Sequence, residues 1–347
     1  MSAVFSCLAR LDRRYLGLIA AGLVLALAIL DQAAVIRGLF AGFLVLLAVP
    51  TGATLLLLIH RLTGGEWGKA ARPALGGAAL LLPAVSLLAL PALLLPGDVF
   101  RWIADPSTIR HEDVAHWYLN APGLVLRSAL TLGLWNVLAL LAALAPHRLS
   151  KALAGLGLLL FGLTVSTAAM DWVLLLDPRF KSTAFAMSWS LAFLLAGAGW
   201  VAASGVGGKA TGDIAKLLVT FALGLLYLDL MQFLVAYDGN LPDQAAWYLR
   251  RATPFGVTAI GLVFVSAALL PFVASLKGDW RNSARIQRIV GISAILGTAL
   301  RTLWWTAPEW QPGPVFWASV LLSGVVALGL AQALGRARIR GGRLHAV

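Results

Sequence analysis

The stretch YLDLMQFLVAYDGNLPDQAAWYLRR, from Tyr227 to Arg251, contains the two features that decide the fold of this chain. Its first half ends a longer apolar run, Ile214–Ala236, which is as long as the roughly 20 mostly apolar residues that a membrane-spanning helix needs. Its second half is polar and rich in aromatic residues, as is typical of a connection at a membrane surface. The apolar half nevertheless contains Asp229, and a carboxylate in lipid surroundings is costly enough to require an explanation.

The composition of the whole chain is that of a membrane protein. Of its 347 residues, 60% are hydrophobic and 12% are charged, whereas soluble proteins are nearer half apolar and a quarter charged. We predict an all-α polytopic membrane protein that forms a single membrane domain over residues 1–347. About ten transmembrane helices are expected, at Tyr15–Leu30, Ile36–His60, Ala74–Leu95, Ala121–Leu144, Leu153–Leu175, Thr183–Ala203, Ile214–Ala236, Pro254–Leu276, Ile286–Thr306 and Pro314–Leu334.

The distribution of positive charge predicts the orientation in the membrane. If the N-terminus is cytoplasmic and the spans alternate, 18 basic residues fall in inner segments and 7 in outer ones, and the opposite orientation reverses this ratio. The positive-inside rule therefore predicts that both termini are cytoplasmic. Membrane insertion alone accounts for the basic loops, so the net charge of +12 does not indicate nucleic-acid binding.

Three segments outside the spans have distinct expected roles. Residues 96–120 are expected to form an external interfacial segment that includes a surface helix, because Asp105–Thr108 reads DPST, a helix-start pattern. Residues 237–253 are expected to form an external loop, since DGN and LPD are turn signals. Residues 335–347 are expected to form a basic cytoplasmic tail, which is solvated.

Tryptophan is abundant in this chain and lies mostly at the ends of the predicted spans. Such residues are typical of the aromatic belts at a membrane interface, so the sequence favours interfacial anchoring over a ligand cage. The residues concerned are Trp67, Trp102, Trp117, Trp172, Trp247, Trp304, Trp305 and Trp310.

Polar residues inside spans are the candidate functional residues, because they usually face a bundle interior or a water-filled cavity. We predict that they lie on one side of the membrane and that Asp229 pairs with Arg127 or Arg301. Three interpretations of Asp229 stay open: it joins helices, it is a proton-exchanging group or polar wall of a ligand cavity, or it reaches interfacial water. The candidates are Asp229, Gln232, Arg127, Arg301, Asp171 and Asp177.

Histidine and cysteine usage bears on cofactors. Cys7 is the only cysteine, and none of the five histidines lies in the interior of a span, so we expect no thiolate cluster and no membrane haem held by this chain. His60 ends the second span on the predicted inner side. It either marks the interface or takes up protons, because imidazole titrates near neutral pH. Cofactors of any electron-transfer reaction would then belong to partner proteins.

Five stretches, in this order, resemble one family. They read LIHRLTGGEWGKAARPAL, WYLNAPGLVLRSALTLGLW, MDWVLLLDPRFKSTAFAMSW, LDLMQFLVAYDGNLPDQAAWYLRR and LRTLWWTAP. Together they are similar to the ActF membrane subunit of bacterial alternative complex III and to its NrfD-like relatives, which include the polysulfide reductase membrane subunit. The resemblance covers roughly residues 36–310.

The resemblance implies a fold and a function. The fold is two four-helix bundles flanked by peripheral helices, in the bacterial inner membrane. The function is that of a subunit, not catalytic alone, of a quinol-oxidising complex, with proton conduction as a further possibility. Its partners would be an ActC-like membrane subunit and extracytoplasmic iron–sulfur and multihaem subunits. The family residues that match this sequence are His60, Arg127, Asp171, Asp177 and Gln232.

The sequence also departs from the family pattern. Relatives have a histidine and a tryptophan where this chain has Arg179 and Phe180, and Asp229 has no clear counterpart. These departures leave two alternatives open: a solute transporter unrelated to respiration, and a non-catalytic membrane scaffold.

Overall fold

The computed structural model describes residues 13–109 and 117–344, and this part of the chain is helical with short connections. Nine of its helices are long and apolar enough to cross a membrane. Another apolar helix, Gly17–Leu30, precedes them and is shorter. The prediction of an all-α polytopic membrane protein with about ten spans is confirmed.

The long helices are numbered here along the chain. They are α1 (Arg13–Leu30), α2 (Gln32–Thr63), α3 (Glu66–Leu94), α4 (Ala121–Leu144), α5 (Lys151–Trp172), α6 (Phe185–Ala203), α7 (Lys209–Asp238), α8 (Pro242–Arg251), α9 (Pro254–Leu276), α10 (Ala284–Thr306) and α11 (Pro314–Leu344). Short helices and turns lie at Pro96–Asp98, Arg101–Ala104, Pro106–Thr108, Leu174–Leu176, Gly278–Asn282 and Ala307–Trp310. Breaks in α3 separate Glu66–Ala79, Leu82–Leu87 and Leu90–Leu94, and the last two segments each have a proline in their first turn, where no N–H is needed.

Several spans begin at a polar residue that caps the helix. The side chains of Asp31, Asn120, Ser150 and Thr253 each accept a hydrogen bond from the backbone N–H three residues later. Such a cap satisfies one of the four N–H groups that a helix leaves unpaired at its start. These caps explain why α2, α4, α5 and α9 start where they do.

The helices form two four-helix bundles. Helices α2–α5 pack together in one bundle, and α6, α7, α9 and α10 pack together in the other. The two are joined by α6, which packs closely along α2, while α1 and α11 pack against each other and α2 at the periphery. A Cβ on Gly197 would lie 2.5 Å from the carbonyl carbon of Gly52, so glycine permits the close approach of α6 to α2.

The bundle has two chemically different ends. The end at which α7 finishes and α8 lies is called here the aromatic end, and the opposite end, with Arg61 and Lys151, is the basic end. The aromatic-belt interpretation is wrong for many tryptophans of the aromatic end, because they are at most 8% exposed and pack between helices. The buried ones are Trp102, Trp172, Trp247, Trp305 and Trp310.

The expected loop 237–253 is wrong in one respect, since it contains the ten-residue helix α8. Pro242 occupies its first turn, where the missing N–H costs nothing, and Asp243 and Arg250 have the signs that suit the two ends of a helix dipole. The predicted DGN turn is present, with Asn240 in the left-handed region at φ +45°.

The other two predicted segments are described only in part. Asp105 caps the short turn Pro106–Thr108, but the continuation of the expected surface helix lies in residues 110–116, outside the described residues. The expected basic tail differs from the prediction, because α11 continues through it to Leu344.

Candidate functional site

The carboxylate of Asp229 on α7 is paired with the guanidinium of Arg301 on α10. Arg301 Nε lies 2.6 Å from Asp229 Oδ2, and Arg301 Nη2 lies 2.6 Å from Asp229 Oδ1. Such a two-point contact combines charge attraction with two charge-assisted hydrogen bonds. Arg301 is 1% exposed, so it is almost fully enclosed by protein. Of the two partners that the sequence left open, the structure selects Arg301.

Neighbouring polar groups complete the coordination of this ion pair. Ser188 on α6 accepts a hydrogen bond from Arg301 and donates one of 2.8 Å to Asp229 Oδ1. Gln232, on the same face of α7, approaches Asp229 Oδ1 at 3.4 Å, and its Oε1 accepts a 2.6 Å hydrogen bond from Ser182. The Gln232 carboxamide neither gains nor loses a proton near neutral pH. Its contacts with Ser182 and Asp229 serve to hold the Asp229 carboxylate in place.

Arg127 serves a separate ion pair between α4 and α5. Its Nε lies 2.7 Å from Asp171 Oδ2 and its Nη2 lies 3.0 Å from Asp171 Oδ1. The guanidinium also covers the ring of Tyr118 at 3.9 Å and donates to the Tyr118 carbonyl. Burial and the nearby Asp171 carboxylate raise the pKa of Tyr118 to about 12, so its hydroxyl is neutral at pH 7. This pair holds the two helices of the first bundle together at the aromatic end.

Asp177 belongs to a third charged group, which ties the connection between α5 and α6 to α8. Its carboxylate is 6% exposed and pairs with Arg250 and Arg179. Burial alone would raise the pKa of Asp177, but the hydrogen bonds from the Arg179 amide and from Arg250 outweigh burial and lower it. Arg250 also lies 3.6 Å from Glu309, after α10. The pairing crosses three segments that are distant in sequence.

Arg251 fastens α8 to α10. Its guanidinium donates to the carbonyls of Trp247, Trp304 and Trp305, and it lies 2.7 Å from Glu309. It also stacks 3.4 Å above the Trp247 ring. Burial lowers the pKa of Arg251 to about 10, and the nearby Glu309 carboxylate opposes this effect, so the group is charged at pH 7.

Aromatic side chains fill the space between these ion pairs. Phe180 packs at 4.4 Å on Trp247, and Phe185 packs at 4.3 Å on Trp305. Arg301 lies 5.8 Å and 5.6 Å from the rings of Phe185 and Trp305. The low polarity of these rings strengthens the ion pair that they surround.

His60 lies apart from the other candidates, at the basic end. Its Nε2 is 3.0 Å from the Gly65 carbonyl oxygen, and its ring meets Trp67 edge-on at 5.3 Å. These contacts bridge the turn between α2 and α3. The remaining predicted candidates all lie in the half of the bundle nearest the aromatic end.

Tyr248, Arg251, Glu309 and Ser188 are polar residues of the site that the sequence analysis missed. Each lies outside the predicted spans or carries a hydroxyl that is common in membrane helices. Only the four-residue spacing of Trp247 and Arg251, which places them on one face of a helix, could have indicated their contact. Among the residues that the structure describes, no group of three or more histidine, cysteine, aspartate or glutamate side chains is arranged to hold a metal ion.

Fold and site together define a polytopic helical membrane protein in which charged side chains pair between helices near one end of the bundle. No protein-family model matches the sequence, and the search of curated proteins gives no significant match.

Proposed function

We propose that this chain is an integral membrane subunit of a quinol-oxidising respiratory complex of the alternative complex III type. In this role it lies in the bacterial inner membrane with both termini in the cytoplasm and the aromatic end outside. It anchors an ActC-like membrane subunit and extracytoplasmic subunits that carry iron–sulfur clusters and haem, and it is not catalytic alone. Proton conduction through Asp229 stays a prediction.

One observation carries this proposal: four of the five stretches that resemble the family meet at the aromatic end. Asp171 and Asp177 come from the third stretch, and they pair with Arg127 of the second and Arg250 of the fourth. Asp229 of the fourth pairs with Arg301 of the fifth. Residues as far apart in sequence as Arg127 and Arg301 thus contribute to one assembly of contacts, as expected if the stretches serve one structural purpose.

That purpose fits an anchor for extramembrane partners. Ion pairs and buried tryptophans connect α4, α5, α8 and α10 at the aromatic end, so this end is a rigid surface. The 18-to-7 distribution of basic residues supports an external position for it. A rigid surface lowers the ordering cost of binding a partner.

Purification of the tagged full-length chain from its native membranes in mild detergent tests the proposal. We expect iron–sulfur and multihaem proteins to copurify in constant ratio, together with quinol-oxidising activity. Arg250→Ala, which unties α8 from Asp177, should lower partner retention severalfold. Lys216→Ala removes the exposed pair with Asp213 instead, and it should leave retention unchanged.

Two results would contradict the proposal. One is a chain that purifies without redox partners and moves a solute across vesicle membranes, which would favour the transporter alternative. The other is equal partner retention in Arg250→Ala and in the native chain, which would exclude the aromatic end as the anchoring surface.

A further inference from the structure

A lateral gap separates α7 from the first half of α9. Helix α7 packs against Leu270–Leu276 and against the π turn Phe264–Leu269, whereas Pro254–Val263 packs against α10. The two helices therefore diverge toward the aromatic end, where α8 lies across the gap. The result is a cavity of about 440 Å³, within the roughly 300–1,000 Å³ that is usual for small-molecule sites.

The cavity is apolar and faces the lipid. Small side chains such as Ala222 and Ala268 leave the space, and large side chains at the opening are well exposed, with Phe264 46% and Leu230 47% exposed. A lipophilic molecule can therefore enter from the bilayer without crossing protein. The apolar lining includes Ala222, Leu225, Leu226, Leu230, Phe233 and Phe264.

Two polar side chains that line the cavity can still form hydrogen bonds with a ligand. Asp229 keeps 27% of its side-chain surface exposed despite its pairing with Arg301. Tyr248 lines the cavity, and within the described residues its hydroxyl takes part in no hydrogen bond. Arg251 also lines the cavity, but its guanidinium is engaged by three carbonyls and Glu309. One acceptor and one hydroxyl are thus available to a ligand.

The π turn is a separate observation at the same place. Phe264 and Ala267 of this turn line the cavity, and the Leu270 N–H bonds to the Val265 carbonyl, five residues back. Ser293 on α10 donates a 3.1 Å hydrogen bond to the Ser266 carbonyl. Single π turns within α-helices occur frequently at functional sites, because they cost stability and reposition side chains.

We propose that this cavity binds one quinol, with its hydroxyl groups at Asp229 and Tyr248 and its isoprenoid tail leaving between α7 and α9. The identity of the lipophile rests on the proposed function. A flat ring suits the aromatic walls formed by Phe233, Phe264 and Trp304. The ring hydroxyls can donate to the Asp229 carboxylate and exchange a hydrogen bond with Tyr248.

A phospholipid is a poorer match to the same chemistry. Its charged headgroup would need a countercharge, but the two charged residues of the lining, Asp229 and Arg251, are already paired within the protein. Its acyl chain would fill the apolar volume and would leave the Tyr248 hydroxyl without a hydrogen-bond partner. Buried polar groups left unpaired lower affinity.

Binding of a decyl-substituted benzoquinol to the purified full-length chain tests this inference. Affinity is measured by titration, and bound native lipids are extracted and identified by mass spectrometry. We expect bound quinone in about one copy per chain. Tyr248→Phe should weaken binding about 5- to 10-fold, the loss expected for one hydrogen bond. Tyr227→Phe, at a lipid-facing position 59% exposed on α7, is the matched control and should not change binding.

A second variant blocks the cavity instead of altering its chemistry. Ala268→Leu should reduce binding by more than tenfold, with folding checked by gel filtration. Equal affinities in Tyr248→Phe and Tyr227→Phe, or a phospholipid that the quinol does not displace, would overturn the inference. Copurified redox partners without quinol in this cavity would refute the site and leave the proposed function standing. Quinol bound here to a chain without redox partners would refute the proposed function alone.

Discussion

Asp229→Asn separates a structural role of the ion pair from other roles of Asp229. The change keeps the shape of the side chain and removes its charge, so the guanidinium of Arg301, 1% exposed, stays charged without a counterion. Removing one partner of a buried ion pair costs about 3–5 kcal/mol. One contact reduces this cost here, because Ser188 still accepts a hydrogen bond from Arg301. We therefore expect a loss of about 2–4 kcal/mol in the free energy of unfolding.

Arg301→Met provides the opposite change. It leaves Asp229 without a guanidinium, but the Asp229 side chain is 27% exposed, whereas that of Arg301 is 1% exposed. The expected loss is smaller, about 1–2 kcal/mol, since the removed charge was the more buried of the two. The double variant leaves no unpaired charge and should be more stable than Asp229→Asn alone. Unfolding in detergent, followed by tryptophan fluorescence, gives all four values and their coupling energy.

The order of the variants is the decisive result. Destabilisation should decrease from Asp229→Asn to the double variant, and the coupling energy should exceed about 1 kcal/mol. A coupling energy near zero would refute the assignment of the pair as a joint between α7 and α10. Unchanged stability combined with lost turnover in a purified complex would instead indicate that Asp229 exchanges protons.

Three further perturbations test other parts of the structure. Gly197→Val places a side chain against the backbone of α2 and should lower the free energy of unfolding by about 3 kcal/mol or more, which is seen as a loss of folded yield. Gly162 has open space around it, so the control variant Gly162→Val should be tolerated. Arg127→Met leaves Asp171, whose side chain is 2% exposed, without its partner and should lower stability by about 2–4 kcal/mol in the same fluorescence assay. Asp177 has a lowered pKa, so the stability it contributes is present above about pH 4 and is lost as the pH falls toward the lowered pKa. Unfolding midpoints measured between about pH 5 and about pH 3 should therefore fall less steeply in Asp177→Asn than in the native chain.

The spans could be predicted from the sequence because their signal is local. A run of about 20 apolar residues is sufficient for a membrane helix, whatever its neighbours are. For this reason the bounds of α4, Ala121–Leu144, agree with the prediction. The burial of tryptophans at the aromatic end could not be predicted in this way. The sequence predicts that Trp102 and Trp247 are interfacial, because it does not show that neighbouring helices enclose them.

The charged residues could be found in the sequence, but the pairing of Asp229 could not be decided there. Both Arg127 and Arg301 were predicted near the same membrane surface as Asp229, and span position alone gives no helix-to-helix distance. The structure puts Arg127 in the first bundle with Asp171 and Arg301 in the second with Asp229. Tyr248 and the cavity were missed for a related reason, since both depend on α8 folding back over the gap between α7 and α9.

The ion pair and the cavity depend on each other. Asp229 and Arg301 fix α7 against α10 in the half of the bundle nearest the aromatic end, and Arg251 fixes α8 to the end of α10. Helix α9 packs on α10 along its length but on α7 only from the π turn onward, so α7 and the first half of α9 diverge while both are attached to α10. The pairing with Arg301 explains how a carboxylate is tolerated at position 229. The same carboxylate places a polar group on the wall of an otherwise apolar cavity. A leucine at position 229 would avoid the cost of a buried charge, but it would remove both the ion pair between α7 and α10 and the hydrogen-bond acceptor that lines the cavity.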